Sequence, residues 1–374
     1  MAEKKRLASI ELLRILAMVM VVVMHFMRES DSLLSAELLS EVPGRVFFGT
    51  FLEAFCIVAV NAYVFISGYF GCRSSFKLSK VIAFLCQIWF YSLLIPLVPA
   101  CLGQPTLMKE TGIYGLLSYV LPIESESYWF ATSYFLLLLL QPVLNAAADK
   151  LTRKQFQMTI FFLLILFCGI KSICPLPLAF DKYGYDLFWF VCVYLVAAYL
   201  RIYGGGILER HPFKIYGISC ILIFAMTAGL WKACRYFSGA AYYFTVPFHY
   251  NFIFCLTGAA GLFYGFLKIS LKEGRGTELI RRIGKYSFGI YLFHEHPDIR
   301  YSWYPFLKKL INPMEIDSIS MFFAELIFSV VILFAAGLVI EWVRNVIFGK
   351  AGRLLRNTAA GRFILQADEE FKNC

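Results

Sequence analysis

Residues Ser9–Met27 read SIELLRILAMVMVVVMHFM. As a helix these 19 residues rise about 28 Å, enough to cross the hydrocarbon core of a bilayer. The stretch nonetheless carries Glu11, Arg14 and His25. Charge inside a membrane helix is costly, so such groups usually face a bundle interior or a wet cavity and mark a function. Arg14 and His25 are eleven positions apart, about 1100° of helical turn, or three full turns plus roughly 20°. The two side chains therefore share a face, separated by about 16 Å of rise, and Glu11 sits three residues before Arg14 on that same face. The plainer alternative makes Arg14 a headgroup anchor paired with Glu11, with His25 in the opposite interface. Two unrelated anchors, however, need not share a face.

Working outward, the 374 residues are 60% hydrophobic and only 16% charged. A soluble domain carries nearer a quarter charged residues, so the composition points to an all-α, polytopic transmembrane bundle. The first segment has no small-residue cleavage site and reads as a retained span rather than a signal peptide. Ten apolar segments can be drawn: Leu7–Met27, Val46–Phe70, Leu78–Cys101, Tyr128–Asn145, Phe156–Cys174, Asp186–Tyr203, Phe213–Trp231, Pro247–Lys268, Ile283–His294 and Ile319–Val346. The ninth is short. Ile113–Pro122 is too short to span and is expected to lie along the surface or re-enter.

Basic residues test this map through the positive-inside rule. With Lys4, Lys5 and Arg6 in the cytoplasm, the inner segments hold 24 of the 35 Lys and Arg, the outer loops hold 10, and Arg14 lies within the first helix. About ten spans with both termini cytoplasmic follow. The net charge of +10 is then mostly topological and implies no nucleic-acid partner. Eleven cysteines are scattered singly, without CxxC or a Cys/His spacing suited to zinc, so neither a disulfide framework nor a metal site is expected. Gly204–Gly206 lacks a P-loop lysine and reads as a turn.

Other polar points interrupt the apolar runs. Asn61–Gly71 reads NAYVFISGYFG, with Glu53 eight residues before Asn61 and close to the same face. An amide within a span needs partners, so Asn61 is a candidate for substrate contact or for an interhelical hydrogen bond, and Glu53 shares that choice. Ser67-Gly68 near a helix end implies close packing. Tyr128-Trp129-Phe130 opens the fourth segment, where an aromatic belt is the simple reading. Gly284–Pro297 reads GKYSFGIYLFHEHP; His294 and His296 are about 200° apart on a helix and form no chelating pair. His294-Glu295 should lie at a depth comparable to His25.

The set Arg14-x10-His25, FISGYF at Phe65–Phe70, Trp129-Phe130 and GKYSFGIYLFH at Gly284–His294 resembles the integral-membrane acyltransferase-3 family, over roughly Lys5 to Arg344. The resemblance implies a transmembrane acyltransferase domain over residues 1–347 and a short cytoplasmic tail over 348–374. It implies a multi-pass plasma (inner) membrane enzyme moving an acyl group, commonly acetyl from acetyl-CoA, to a hydroxyl of a surface carbohydrate. His25 and Arg14 take the essential, catalytic positions of the first-helix motif; His25 is expected to act as the base and Arg14 also to bind the coenzyme, with Arg73 and Lys285 as further coenzyme contacts. Glu11, Asn61, Ser67, Trp129 and His294 are candidates for substrate binding. Where many members carry Arg-x-Arg, this chain keeps only Arg73, and Glu11 stands where many have Asp.

Two other classes compete. A transporter or flippase would use Glu11, Arg14 and His25 as a relay, but neither inverted repeats nor paired broken helices are visible. A polysaccharide polymerase would be expected to have a large outer loop, and the longest one here, Leu102–Ser127, is modest.

Overall fold

The structure is a computed structural model and describes residues 6–35, 44–101, 103–174, 178, 181–234, 236, 242–355 and 358–371. Lys4 and Lys5, Leu102 and Cys374 lie outside the described residues, and with them part of the charge tally and the end of the tail. The described chain is helical throughout, with no strand among the described residues.

Its principal helices are α1 (Ala8–Glu29), α2 (Gly44–Cys56), α3 (Ala59–Gly71), α4 (Leu78–Leu94), α5 (Trp129–Lys150), α6 (Arg153–Leu164), α7 (Leu187–Tyr203), α8 (Pro212–Ala233), α9 (Ile253–Lys268), α10 (Arg275–His294), α11 (Trp303–Ile311), α12 (Ile319–Leu355) and α13 (Ala359–Glu370). Among the described residues, eight helical stretches are long and apolar enough to cross a membrane. Two of the ten expected spans fall short of that standard. Leu187–Tyr203 is apolar but only 17 residues long, and α10 is 20 residues long with a charged first half, RGTELIRRIGK.

The helices run between two ends of one bundle. The start of α1 lies at the near end, where the Arg281 guanidinium donates to the Arg6 carbonyl at 2.9 Å and Arg73 pairs with Asp149 at 3.1 Å. The end of α1 lies at the far end, where His25 meets His294. α1 sits inside, packed by α2, α3, α9, α10 and α12, and most of it is buried. α4, α5, α6, α8 and α12 turn most of their apolar surface outward, as a membrane solvent demands.

Local chemistry explains the element ends. Thr152 and Gln155 form a reciprocal capping box at the start of α6, which satisfies two of its orphan N–H groups. Asp186 caps α7 by accepting from the Trp189 N–H at 3.0 Å. Between α7 and α8, Gly204 and Gly206 take φ of +90° and +55°, the region that favours glycine. The Gly205 N–H donates to Glu209 at 2.8 Å, so this glycine run is a self-satisfied turn.

Three boundaries differ from the sequence reading. The segment Val46–Phe70 is two helices broken by a turn at Ile57–Val58. The stretch after Phe156 widens into a π turn at Ile165–Gly169. The last helix does not stop at Val346 but continues to Leu355, straight through the expected boundary at 347/348. Its Glu341 is buried and accepts from Gln87 at 3.0 Å, from Tyr91 at 3.0 Å and from Arg344. The tail is also tied down. Asp368 on α13 accepts from the Ser79 N–H at 3.0 Å and from its hydroxyl at 2.5 Å, capping α4. Ile113–Val120 forms the expected short helix and hangs on α4 through Ser92, whose hydroxyl donates to the Tyr119 carbonyl at 2.8 Å.

Small residues set the approach of the central helices. A Cβ at Gly68, in the Ser-Gly pair, would fall 2.7 Å from the Tyr194 carbonyl oxygen on α7. A Cβ at Gly284 would fall 2.6 Å from the Glu11 carboxylate. The two glycines therefore let α3 meet α7 and α10 meet α1 at backbone distance.

Candidate active site

The α1 stripe survives folding. Arg14, Met18, Val21 and His25 follow one another at helical spacings of four, three and four residues, which places them on one face. Met18, Val21 and His25 line a narrow cavity, closed around by Val60, Tyr63, Trp129, Phe130, Tyr250, Phe288 and Tyr291. Arg14 is not among its lining residues. Tyr63 connects the two regions, because its ring faces the cavity and its hydroxyl donates to the Arg14 carbonyl at 2.6 Å. Arg14 keeps 29% of its side chain exposed and pairs with the buried Glu11, which also meets Arg6 at 3.4 Å.

At the far end, His25 Nδ1 lies 2.8 Å from His294 Nε2 and 3.2 Å from Glu295 Oε1. The tautomers follow from the partners. His294 Nδ1 lies 2.6 Å from the Ile290 carbonyl, and a carbonyl only accepts, so that nitrogen carries the proton. His294 Nε2 is then a lone pair, which requires His25 to donate from Nδ1. His25 Nε2 is left unprotonated on a ring at the cavity wall. Glu295 is almost fully buried. Burial alone would raise its pKa, but His25, His294, Arg28 and Arg300 outweigh that and hold the carboxyl below the usual range. Arg28 contributes a direct contact of 3.2 Å, and Arg300 bonds the Glu295 carbonyl at 2.8 Å.

This cluster bears on the expected lack of a metal site. His25, His294 and Glu295 each present a donor atom, all within 4.8 Å of one another. Sequence spacing could not reveal this, since the donors come from α1 and the end of α10. The 2.8 Å between the two nitrogens is a hydrogen-bond length. Two ligands of a tetrahedral zinc with bonds of 2.0–2.1 Å would stand about 3.3 Å apart. As placed, the pair shares a proton.

The remaining sequence candidates sort by their surroundings. Trp129 lines the cavity and stacks on Tyr250 with ring centroids 5.6 Å apart, so it is part of the chamber rather than a belt residue. Ser67 bonds the Tyr134 hydroxyl at 2.9 Å and the Tyr63 carbonyl at 3.1 Å. Asn61 is fully buried; its amide donates to the Tyr250 carbonyl at 2.7 Å and its oxygen accepts from Trp189 at 2.9 Å. These are the interhelical bonds the sequence reading offered as one of its two alternatives, and they hold Tyr250 against the chamber. Arg73 is exposed and already paired with Asp149. Lys285 is exposed beside the Tyr286 ring and directly follows Gly284, the residue packed on Glu11. His296 and His294 do diverge: His296 turns to the Asp298 N–H at 3.1 Å.

Two polar groups were not assigned by the sequence. Tyr291 lines the cavity, and its buried hydroxyl has no hydrogen-bond partner among the described residues. Glu295 directly follows the named His294, and its expected depth, comparable to that of His25, was the available signal.

A protein-family model described as an acyltransferase domain matches residues 7–342. No curated protein and no solved structure matches the chain.

Proposed function

Because the chain belongs to the acyltransferase-3 family and is a membrane acyltransferase, we infer that it carries an acyl group, acetyl from acetyl-CoA, from the cytoplasmic side to a hydroxyl of a cell-surface carbohydrate. The observation that carries this reading is the proton order at His25. A ring whose Nδ1–H is committed to His294 offers Nε2 as a base toward the cavity. Acyl transfer to a hydroxyl needs such a base, a donor for the oxyanion, and reactants held in contact.

In this reading the acceptor hydroxyl gives its proton to His25 Nε2 as its oxygen attacks the thioester carbonyl. The resulting imidazolium is stabilised by Glu295 at 3.2 Å, the role a carboxylate plays behind a catalytic histidine. The Tyr291 hydroxyl, which has no hydrogen-bond partner among the described residues, donates to the oxyanion. Collapse expels the coenzyme thiolate, which takes the proton from His25. Arg14 binds the coenzyme nearer the cytoplasm, with Lys285 beside it and Arg73 assisting. The rise of about 16 Å between Arg14 and His25 is comparable to an extended pantetheine arm. The aromatic chamber excludes water that would otherwise hydrolyse the thioester.

A relay from Glu11 through Arg14 to His25, as a transporter would use, has Met18 and Val21 across its path. The reading is tested by expressing the chain in cells, analysing surface glycans by mass spectrometry, and repeating with His25→Ala. Acylation that depends on the protein and disappears in the variant, with equal protein in the membrane, is the expected result. Retained acylation in His25→Ala overturns the role of His25.

A further inference from the structure

A buried lysine stands outside the site described above. Lys171 follows the π turn after α6, and its side chain is only 1% exposed. A lysine that deep is kept only when its charge is met. Its ammonium lies 2.5 Å from Oδ2 of the equally buried Asp181 and donates to the Tyr242 hydroxyl. It also sits 4.6 Å from the Tyr183 ring centroid and 4.8 Å from that of Tyr242. The other carboxylate oxygen, Asp181 Oδ1, accepts from the Tyr183 N–H at 2.8 Å and from the Asn251 amide at 2.8 Å. The Tyr183 carbonyl in turn accepts from the Tyr250 N–H at 3.0 Å. Gly184 follows at a φ of +81°, and a Cβ there would fall 2.8 Å from the Asn251 backbone nitrogen and 2.9 Å from the Tyr250 Cβ. The turn is thereby pressed onto Tyr250. It ends in Tyr185, whose ring lies 4.4 Å from that of Trp129 and 4.7 Å from that of Tyr250. Trp129 and Tyr250 line the cavity that holds His25, and the partly exposed Tyr185 lies against both from outside it.

An unbroken run of direct contacts thus leads from the Lys171 ammonium to the chamber wall. Removing one member of a buried ion pair strands the other charge, whereas replacing both is often tolerated. We propose that Lys171 is a positioning residue: through Asp181 it fixes the 181–185 turn, and that turn holds Tyr250 and Tyr185 closed over the far end of the chamber. The catalytic meaning of this cover rests on the acyltransfer reading above. A closed wall keeps water from attacking the thioester carbonyl, which would expel the coenzyme thiolate and release the acyl group as a free acid. The placement of the wall by Lys171 does not depend on that reading.

The test is hydroxyl-radical footprinting of the full chain in nanodiscs, read peptide by peptide by mass spectrometry. Tyr250 is the reporter, and Trp303, buried on α11, is the control. Lys171→Met should raise Tyr250 oxidation about fivefold and leave Trp303 unchanged. Lys171→Met with Asp181→Asn should return Tyr250 to the wild-type level, because the Asn oxygen still accepts from Tyr183 and Asn251 and no charge is stranded. Lys171→Met with Asp181→Ala also strands no charge but loses those acceptor bonds, so it should stay open; this pair keeps the test decisive where the single variant fails to accumulate. Wild-type oxidation of Tyr250 in Lys171→Met or in the Ala pair overturns the proposal. So does a rise at Tyr250 and Trp303 alike, which marks general loosening, and so does an Asn pair as open as the Ala pair. Release of coenzyme A from acetyl-CoA without acceptor, followed by chromatography, runs in parallel and should rise in each variant whose footprint opens. A chamber that opens in the footprint with no coenzyme A released overturns the water-excluding role given to it in the acyltransfer reading and leaves the positioning role of Lys171 standing.

Discussion

His25 Nδ1 and His294 Nε2 stand 2.8 Å apart although 269 residues separate them in the chain. The contact joins the end of α1 to the end of α10, and the Ile290 carbonyl sets the direction of its proton.

That direction makes His294 testable as a positioning residue. His294→Ala removes the acceptor for His25 Nδ1–H and leaves Glu295 as the remaining one. We expect kcat to fall about 10²-fold with the KM for acyl-CoA unchanged. Adding Glu295→Gln should bring the loss to about 10⁴-fold, since the wrong tautomer then competes freely. Steady-state kinetics on both variants checks this. A fall in KM affinity alone would mean that His294 shapes the donor site.

Arg14 keeps a partly exposed guanidinium next to Glu11. Lysine preserves its charge but not its planar fork. Arg14→Lys should weaken acyl-CoA binding about tenfold, equivalent to about 1.4 kcal/mol. Calorimetry in detergent measures it; unchanged binding would reduce Arg14 to an anchor.

The three donors around His25 make metal dependence a direct question. If the 2.8 Å contact is a proton shared between two imidazoles, prolonged treatment with 1,10-phenanthroline leaves turnover unchanged. Loss of turnover, restored by zinc, would replace the hydrogen bond with coordination.

His296 supplies a pH test outside the spans. Burial drives its pKa down to about 4, below the value near 6.5 of an unfolded chain. Between those values the unfolded state binds the extra proton, so stability is full above pH 6.5 and declines as pH falls toward 4. His296→Asn keeps an acceptor for the Asp298 N–H, as an Asx turn does, and cannot titrate. The melting temperature of the variant should fall less over that interval than that of the wild type.

Much of the fold was legible because membrane burial writes itself into composition. Every apolar segment drawn from sequence contains helix, and the Arg14–His25 spacing carried directly into one face of α1. Gly68 behaved as the small-residue rule expects. What sequence left open depended on partners. An amide in an apolar run signals a need for hydrogen bonds, but sequence does not say that Trp189 and Tyr250 meet that need for Asn61. The burial of Glu341 was likewise not legible, because Gln87 and Tyr91, which bond it, come from α4. The His25–His294–Glu295 cluster was invisible as a unit for the same reason: each spacing rule looks along one helix, and this site is made across two.

The tethering of Asp368 to Ser79 gives the end of the chain a share in the stability of its middle. A truncation that stops before Asp368 would leave the first N–H groups of α4 without their carboxylate. That helix carries Gln87 and Tyr91, the hydrogen-bond donors to Glu341 on α12. Affinity tags and reporter fusions attached at the carboxyl end would load this latch, so the amino end is the safer handle for purification.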